Sequence, residues 1–477
     1  MIKVYEARVD VLTNVEELLK KIPQVDKLMQ SEVFSGCEFY HNEITEAVRE
    51  TLADLREKIK NGCTDTIPND SELANSALLK AKNKASDKDI KRVINATGVI
   101  LHSNLGRASL SESAIKAIVE SASSYCSLEY DIGRGNRGNR TGGVEKYLKD
   151  ITGCEASLVV NNNAAAVLLI LTSLASGGNV IVSRGELVEI GGGFRVPDIM
   201  SQCGCSLHEV GTTNKTRIDD YESAVTTETK ALLKVHTSNF KVIGFTESVD
   251  IKELSKLGKK HNIPVIEDIG SGALTDVKRY GLHDEPIVKE SLKNGADIVS
   301  FSGDKLLGSL QCGIIAGSEK YISVMKKHPL YRAFRVDKIT IAALEATLRI
   351  YRDTSATERD IPVISMLSVS DDVLKARAES LCDEILKRGG YADVIKTKST
   401  AGGGSVPGLE LPSYAVSPAG SQSADEAEKI LRLQSIPIIG RIENDRLLLD
   451  VRTIFNSDHE YMINAITEMT KLSESKS

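Results

Sequence analysis

The sequence has no apolar run that approaches the roughly 18–20 residues needed to cross a bilayer. Its longest apolar run lies near Ala164–Leu171, and polar residues flank that run closely. The first residues, Met1–Glu6, also lack the basic and then apolar layout of a signal peptide. Together these absences exclude a membrane-spanning protein and predict a cytoplasmic one.

Patterns typical of metal sites are also missing. The eight cysteines are scattered, and none forms a C-x-x-C pair. Cys203 and Cys205 are two positions apart, but no second pair or histidine cluster completes a zinc site. Reduced thiols and no metal are therefore expected. His102 and His236 lack ligand spacing, which leaves His236 either lining a cofactor pocket or satisfied within the core.

Neither sign of charge is in large excess. The chain has 60 lysines and arginines against 66 aspartates and glutamates, a formal net charge of −6. This balance argues against a protein that coats nucleic acid, although a local basic site is still possible. Hydrophobic residues make up 41% and charged residues 26%, which excludes collagen, coiled-coil rods and wholesale disorder.

Changes in composition along the 477 residues predict four segments. Residues 1–70 are expected to form a helical N-terminal domain, in which Ile44–Ile59 carries one apolar stripe at helical spacing. Residues 71–95 are polar and lysine-rich and are expected to form a linker that contains a polar helix. A large domain is predicted over 96–338, and a smaller α+β domain over 339–477.

Short β-branched runs alternate with helical segments between about residues 155 and 317, which predicts an α/β fold with a mainly parallel sheet. The runs are Ser157–Val160, Val180–Val182, Ala231–Val235, Pro264–Ile266, Asp297–Phe301 and Gly313–Ala316. Most of them end in polar residues, and open α/β sheets bind ligands at the carboxyl ends of their strands. A separate hairpin is predicted over Pro437–Val451, with its turn at residues 443–445.

A lysine and an aspartate follow two of these strands. Lys305 leaves a buried strand, and a lysine in low-dielectric surroundings favours the neutral amine that forms imines. Asp268 ends another strand, and Asn161–Ala166 opens a helix whose free N–H groups suit a phosphate. In combination they favour pyridoxal phosphate (PLP), with Lys305 on its aldehyde and Asp268 on its pyridine nitrogen. Taken singly, each is more typical of a structural feature: the lysine of a solvated surface, the aspartate of a helix cap and the asparagines of a turn.

Arginines form a second group of candidates. Arg107 follows an Asn-Leu-Gly sequence, a loop over 133–140 holds three arginines including Arg140, and Arg332 and Arg335 follow later. Arginine binds phosphate-like oxyanions with two donors at once, so these residues predict an oxyanion site. The alternatives are a flexible loop for 133–140 and a solvated helix face for Arg332 and Arg335.

Several longer strings resemble those of the bacterial selenocysteine synthases, the L-seryl-tRNA(Sec) selenium transferases. They are Val93–Gly98, His102–Ala108, Val160–Leu168, Ser183–Gly192, Glu209–Asn214, Val235–Asn239, Ser300–Gly308, His328–Arg335 and Ile439–Arg446. The resemblance extends over nearly the whole chain. One departure follows the lysine, where Gly308–Gly313 reads GSLQCG and the family usually reads GGPQAG.

This resemblance implies fold type I of the PLP-dependent transferases, the aspartate-aminotransferase-like fold. It implies Lys305 as the Schiff-base lysine with Asp304 as a catalytic neighbour, and Asp268 as the partner of the pyridine nitrogen. Asn163, Ala164 and Ser302 would surround the cofactor phosphate, while His236 and Glu186 are candidates to stack on the ring. The residues implied for selenophosphate are Arg107, Arg140, Asn239, Asp304, Arg332 and Arg335, with Arg140 and Asn239 contributed by a partner subunit.

The implied activity is conversion of L-seryl-tRNA(Sec) to L-selenocysteinyl-tRNA(Sec) with selenophosphate. Water would leave by β-elimination, and selenium would add to an aminoacrylyl-tRNA intermediate. The family also implies a homodecamer built from five dimers, and an N-terminal domain that binds the tRNA. Two alternatives stay open: a PLP-dependent lyase or aldolase acting on a small amino acid or sugar acid, and a non-catalytic tRNA-binding relative.

Overall fold

The computed structural model describes residues 15–86, 90–190, 194–403, 408–420 and 423–474. It divides into two compact units, Met1–Arg92 and Val93–Ser477. Parts of the predicted segments lie outside the described residues, namely 1–14 of the N-terminal domain, 87–89 of the linker, 191–193 of the large domain, and 404–407, 421–422 and 475–477 of the small domain.

The N-terminal unit is helical, as predicted. Residues 15–21 form a helix, followed by α1 (Val25–Leu28), α2 (His41–Lys60) and α3 (Asp70–Ser86). The apolar stripe of α2 is buried from Ile44 to Ile59, which confirms the predicted amphipathic helix.

The predicted linker over 71–95 differs from the structure. Helix α3 occupies most of it and packs on α2, with Leu73, Ala77 and Ala81 in the same core. These residues are spaced by four and lie on one helix face, so a largely polar segment still has an apolar side to bury. The N-terminal unit therefore continues to Arg92.

The second unit contains most of the regular structure. Its helices are α4 (Glu112–Ser123), α5 (Gly142–Thr152), α6 (Asn163–Ala175), α7 (Val196–Gln202), α8 (Ile218–Ala224), α9 (Ile251–His261), α10 (Val288–Lys293), α11 (Glu319–Lys327), α12 (Pro329–Ala333), α13 (Lys338–Ile350), α14 (Thr354–Asp360), α15 (Pro362–Ser368), α16 (Asp371–Lys387), α17 (Ala424–Arg432) and α18 (His459–Glu474). Its strands are β1 (Ile94–Asn95), β2 (Val99–Leu101), β3 (Tyr130–Asp131), β4 (Asn136–Arg137), β5 (Ala156–Val160), β6 (Asn179–Ser183), β7 (Glu189–Ile190), β8 (Phe194–Arg195), β9 (Ser206–Val210), β10 (Thr229–Val235), β11 (Val265–Gly270), β12 (Ile298–Ser302), β13 (Gly313–Gly317), β14 (Ala392–Gly402), β15 (Leu411–Pro418), β16 (Ile438–Ile439), β17 (Arg441–Glu443) and β18 (Arg446–Asp450).

A seven-stranded sheet with the order β5-β13-β12-β11-β10-β6-β9 forms the centre of this unit. The pairs from β12 through to β9 are parallel, and β13 is antiparallel to both of its neighbours. The mainly parallel sheet is therefore confirmed, and all six predicted runs lie in its strands. Strand β9 at the edge was not predicted.

Both faces of this sheet are buried. Leu158 and Val160 pack in a core with α6, while Val159 between them packs in the opposite core with α9 and α13. Alternate residues of a strand point to opposite faces, so continuous apolar runs are expected for a sheet covered on both sides. Because α13 belongs to this core, the predicted boundary between residues 338 and 339 differs from the structure.

A second sheet of order β17-β18-β15-β14-β2 forms the smaller layer, and β1 pairs separately with β16. The predicted hairpin is confirmed, since Glu443 pairs with Arg446 across a turn in which Asn444 and Asp445 have positive φ. Strand β2 adds to β14 in parallel, so residues just after the N-terminal unit belong to this C-terminal layer. Among the described residues, no helix is both long and apolar enough to span a bilayer.

Candidate active site

The carboxyl ends of β10, β11 and β12 bring the predicted lysine and aspartate together. Asp268 pairs with Val235 on one side and with Ser300 on the other. His236 follows β10, and its backbone N–H donates to the carbonyl of Asp268 at 2.8 Å. Lys305 lies in the turn after β12, and a Cβ placed on Gly270 of β11 would lie 3.9 Å from its Nζ. The side chains predicted from separate motifs thus meet at one sheet edge.

Lys305 is only 7% exposed. Burial, followed by the nearby charge of Arg107, lowers the pKa of its amine, while Asp268, Asp304 and Glu285 oppose this shift. The neutral amine is therefore populated at lower pH than in a free lysine. This is the form that attacks a carbonyl carbon.

Asp268 is buried as well, and its side chain is held by two donors. Asn163 Nδ2 donates to Oδ1 at 2.7 Å, and Ser300 Oγ donates to the same oxygen at 3.2 Å. Burial raises the pKa of this carboxyl, and the hydrogen bond from Asn163 is the largest influence that lowers it. The result is a carboxylate fixed in orientation beside a buried amine.

Helix α6 begins at this edge. Asn162 caps it by accepting the N–H of Ala165 at 2.8 Å. In the part of the chain that the structure describes, the N–H groups of Asn163 and Ala164 have no hydrogen-bond partner, so they suit an anion. Gly313 makes the close approach of β13 possible, because a Cβ there would lie 2.1 Å from the carbonyl oxygen of Asn162.

The turn that holds Lys305 is tied to the loop after β2. Arg107 Nη1 donates to Asp304 Oδ2 at 2.7 Å, and the N–H of Ala108 donates to the carbonyl of Asp304 at 3.3 Å. Arg107 has a φ of 62°, which directs the backbone into this contact directly after Gly106. The ion pair places a guanidinium next to the lysine, and its role as an oxyanion ligand stays a prediction.

The other predicted arginines are divided between a cluster and the surface. Arg140 and Arg335 both pair with Glu129, at 2.9 and 3.3 Å. Arg332 is exposed. Asn239 Nδ2 donates to the carbonyl of Glu189 at 2.6 Å and is bound within its own chain. Arg140 therefore joins Arg335 within one chain, and the contribution of partner subunits stays a prediction.

The two candidates for stacking on the ring differ in their freedom. Both carboxylate oxygens of Glu186 are used, one by Lys234 Nζ at 3.1 Å and the other by the N–H of Val235 at 3.0 Å. His236 is less committed, because its Nε2 lies 3.6 Å from Glu285 Oε2, beyond hydrogen-bonding distance. His236 is the better candidate, and sequence reasoning missed Glu285 beside it.

The departure in sequence after the lysine is accommodated by packing. Ser309 is buried, and its hydroxyl shares a hydrogen bond of 3.2 Å with Thr347 Oγ1 of α13, which itself donates to the carbonyl of Ala343. Cys312 is fully buried, and burial raises the pKa of its thiol to about 12. These contacts anchor the loop without the proline that the family usually has there.

The polar atoms left over at this edge fit PLP. Among the described residues, Asn163 Oδ1 and His236 Nε2 are buried without a hydrogen-bond partner. An amine, a carboxylate and free helix N–H groups match the aldehyde, the ring nitrogen and the phosphate of that group. No group of three or more His, Cys, Asp or Glu side chains suited to a metal occurs within the described ranges.

Comparison with known proteins agrees with this geometry. The family model described as SelA, L-seryl-tRNA selenium transferase, matches residues 93–455. The chain belongs to this family. The L-seryl-tRNA(Sec) selenium transferase of Carboxydothermus hydrogenoformans is 46% identical over 451 residues, covering 94% of this chain and 96% of the relative. That of Moorella thermoacetica is 46% identical over 456 residues, covering 94% and 97%.

A solved structure confirms the fold class. D-glucosaminate-6-phosphate ammonia-lyase superposes with a TM-score of 0.57 and 20% identity, covering 81% of this chain and 97% of that one. The chain has fold type I of the PLP-dependent transferases, as predicted. As a member of the selenium transferase family it is an enzyme, and this excludes the non-catalytic alternative.

Proposed function

We propose that this enzyme converts L-seryl-tRNA(Sec) to L-selenocysteinyl-tRNA(Sec), with selenophosphate as the selenium donor and PLP as the cofactor. The observation that carries the proposal is the buried Lys305 amine, which lies with Asp268 and the Arg107–Asp304 ion pair at one sheet edge. The reaction is assigned to the cytoplasm, and the free state of all eight cysteines supports a reducing compartment.

Lys305 would hold the cofactor's aldehyde carbon, Asp268 would face its ring nitrogen, and Asn163, Ala164 and Ser302 would hold its phosphate. When bound, PLP supplies an aromatic system that accepts the electron pair released at the α-carbon of serine. Lys305 Nζ would be released when the amino group of seryl-tRNA replaces it on the aldehyde carbon, and it would then take the α-proton, because its lowered pKa makes the neutral amine accessible. Asp268 would face the ring nitrogen in a fixed orientation, since Asn163 and Ser300 both donate to its Oδ1, and these hydrogen bonds oppose the rise in its pKa that burial causes.

The arginines would hold the selenophosphate oxyanion. Arg107 pairs with Asp304, the residue directly before Lys305. Asp304 would therefore contribute by orienting the guanidinium of Arg107 toward the reacting carbon. Arg140 and Arg335 converge from two segments, and exposed Arg332 and Asn239 complete the proposed set. Guanidinium groups fixed before the substrate arrives stabilise the charge on the phosphate as it is released.

The N-terminal unit is proposed to bind the tRNA, and the charges on α2 support this. Glu46, Glu50 and Asp54 lie on one side of α2, where Lys80 and Lys84 of α3 pair with them. The lysines of α3 thus neutralise the acidic side of α2.

A second side of α2 carries a basic stripe, formed by Arg49, Arg56 and Lys60. These residues follow one another at helical spacing, and all three are exposed. Within the described residues none of them forms an ion pair, so they are available to phosphates of the tRNA backbone. The basic stripe would explain how the N-terminal unit, which has more acidic than basic residues, can bind RNA.

The enzyme is proposed to assemble as a decamer of five dimers. Large apolar side chains at the surface of the second unit, among them Tyr125, Ile132 and Phe245, support burial against further copies. Sedimentation of the purified protein measures this directly, and a mass of one or two chains would contradict it.

The decisive experiment is turnover of seryl-tRNA(Sec) with selenophosphate by the purified protein, with PLP absorbance recorded in parallel. We expect a visible band that borohydride removes, and its loss in Lys305→Ala. A Lys305→Ala variant that keeps the band would show that the lysine is wrongly assigned. Turnover of a small amino acid without use of seryl-tRNA would instead favour the lyase alternative.

A further inference from the structure

Glu129 is a carboxylate on which three arginines converge. Arg137 Nη2 donates to Oε2 at 2.9 Å, and Arg140 Nε donates to Oε1 at 2.9 Å. Arg335 Nη1 donates to the same Oε1 at 3.3 Å, although it lies 206 residues away in the sequence. The backbone of Glu129 is also fixed, because its carbonyl accepts the N–H of Gly138 at 2.9 Å.

Because Arg140 and Arg335 share one carboxylate oxygen of Glu129, the positions of their guanidinium groups are linked. Arg140 Nε and Arg335 Nη1 both reach Oε1, so these cations lie side by side despite their like charge. Each of them gives Glu129 a single N–H rather than a paired fork. Most of the donors of Arg335 therefore stay available to a ligand.

A second contact fixes the plane of Arg140. Its Nη1 donates to the carbonyl of Val336 at 2.5 Å, directly after Arg335 in the chain. The side chain of Arg140 is only 18% exposed. With Nε and one N–H of Nη1 engaged in this way, Nη2 and the second N–H of Nη1 remain for a ligand, as far as the described residues show.

This cluster is connected to the cofactor edge through the backbone. Arg335 forms a β-bridge with Val160, the last residue of β5. The N–H of Asn161 donates to the carbonyl of Phe334 at 3.0 Å. Two residues later Asn163 begins α6 and binds Asp268. The positions of the arginines are thus set relative to the residues proposed to hold PLP.

We infer that Glu129 is a positioning residue of the selenophosphate site, which holds Arg140 and Arg335 together so that they grip one oxyanion. The inference rests on the proposed function, because it deepens the role given there to these two arginines. Glu129 itself does not touch the oxyanion. It supplies the counter-charge without which the two guanidinium groups would separate.

An ion pair that only braces the loop between β3 and β4 is the competing explanation. Such a role is expected to be weak, because exposed ion pairs contribute little to stability. Arg137, which is exposed, fits that description. Arg140 does not, since it is mostly buried and also bonded to the backbone beside Arg335.

The test uses full-length, PLP-loaded enzyme with Glu129→Ala and Glu129→Gln. We expect the KM for selenophosphate to rise about tenfold in Glu129→Ala, because Arg140 and Arg335 would no longer be held in position. The rise should be smaller in Glu129→Gln, which keeps one acceptor oxygen. The inhibition constant of inorganic phosphate should rise in parallel. The KM for seryl-tRNA and the visible absorbance should not change. Glu460→Ala and Glu460→Gln, which remove the carboxylate that pairs with Arg388 in the smaller layer, are the matched controls.

The outcomes separate this inference from the proposed function. If Arg335→Met weakens phosphate inhibition and Glu129→Ala does not, the oxyanion site stands and the role of Glu129 is wrong. A KM that falls in Glu129→Ala would also overturn it, since the carboxylate would then compete with the oxyanion. If Arg335→Met and Arg140→Met both leave phosphate inhibition unchanged, the proposed oxyanion site itself is wrong.

Discussion

Lys305 shows how a single side chain takes its chemistry from its surroundings. Its amine is buried at the end of β12, and burial and Arg107 both favour the neutral form. Nothing in the residue itself distinguishes it from the other lysines of the chain. The contribution of Arg107 can be measured separately, because this arginine acts through its charge.

Replacing Arg107 with methionine should raise the pKa of Lys305. Loss of a neighbouring positive charge favours the protonated amine, and Asp304 is then free to favour it further. In the cofactor-free protein, competitive labelling with acetic anhydride at varied pH reports this pKa from the Lys305 peptide. The wild-type midpoint should lie below 10.5, the ordinary value. In the variant the midpoint should move to higher pH.

Arg217→Met provides the control for this measurement, because it removes an exposed arginine that pairs with Glu247. It should leave the labelling midpoint of Lys305 unchanged. A midpoint that does not move in Arg107→Met, or that moves equally in both variants, would contradict the assigned cause.

Individual site residues differ in how far the sequence reveals them. Lys305, Asp268 and Asn163 are recognisable because each follows a strand, and strand ends of a parallel sheet meet at one edge. Glu129 and Glu285 are not recognisable in this way. Each acts on a residue far away in the chain, as Glu129 does on Arg335, and no local pattern encodes such a pairing.

Secondary-structure elements carry the next level of constraint, and the junction of β13 with α6 is the tightest. A Cβ on Gly313 would lie 2.1 Å from the carbonyl oxygen of Asn162, and both partners are backbone. Neither can rotate away as a side chain would, so the strand or the helix start must shift. The N–H groups of Asn163 and Ala164 would shift with it.

Gly313→Ala should therefore lower stability by about 1–3 kcal/mol, as overpacking does, and weaken PLP binding. Thermal unfolding and titration with PLP measure the two effects. Gly142→Ala is the control, because a Cβ there meets nothing closer than 3.6 Å. Equal behaviour of the two variants would contradict the steric argument.

The basic stripe on α2 gives a second prediction for an element. Changing Arg49, Arg56 and Lys60 together to alanine should weaken tRNA binding and lower its salt dependence by about two counterions. Filter binding at several salt concentrations gives both quantities. The triple variant of Lys252, Lys256 and Lys259, on the exposed side of α9, removes the same charge and should change neither. An unchanged salt slope in the α2 variant would rule out the stripe.

Strands with continuous apolar runs were predictable from the sequence, whereas β9 was not. Strand β9 reads Ser-Leu-His-Glu-Val and lies at one edge of the sheet, where most of its side chains are not fully buried. It therefore lacks the apolar run that marked the other six strands, including β5, which is buried at the opposite edge. Helix α3 was predicted as a polar helix, but its packing in the N-terminal core was not, since it buries mainly alanines.

The whole molecule consists of two units with separate cores. Leu73, Ala74 and Ala77 of α3 pack in the core of the N-terminal unit. A domain boundary that keeps this core intact must lie after α3 and not directly after α2. The composition of the chain suggested a boundary near residue 70, but the packing of α3 moves it to Arg92.

Deleting residues 1–92 should leave a protein that binds PLP and unfolds cooperatively but has lost its affinity for tRNA. Deleting residues 1–60 should instead expose the apolar side of α3 and cause aggregation. Size-exclusion chromatography, PLP absorbance and tRNA binding distinguish the two proteins. Unchanged tRNA affinity after the longer deletion would show that the N-terminal unit is not the tRNA-binding domain.

The pairing of β1 and β2 with β16 and β14 has a consequence for biosynthesis. Val99 lies beside Thr400, and Ile94 beside Ile438, so these early strands have no neighbour until the ribosome reaches the last quarter of the message. At about 5–20 residues per second, the delay for Val99 is roughly 15–60 seconds. The loop of Arg107 follows β2 directly and receives its final anchor at the same moment. The loop of Arg107 therefore reaches its final anchorage only after most of the chain has been translated.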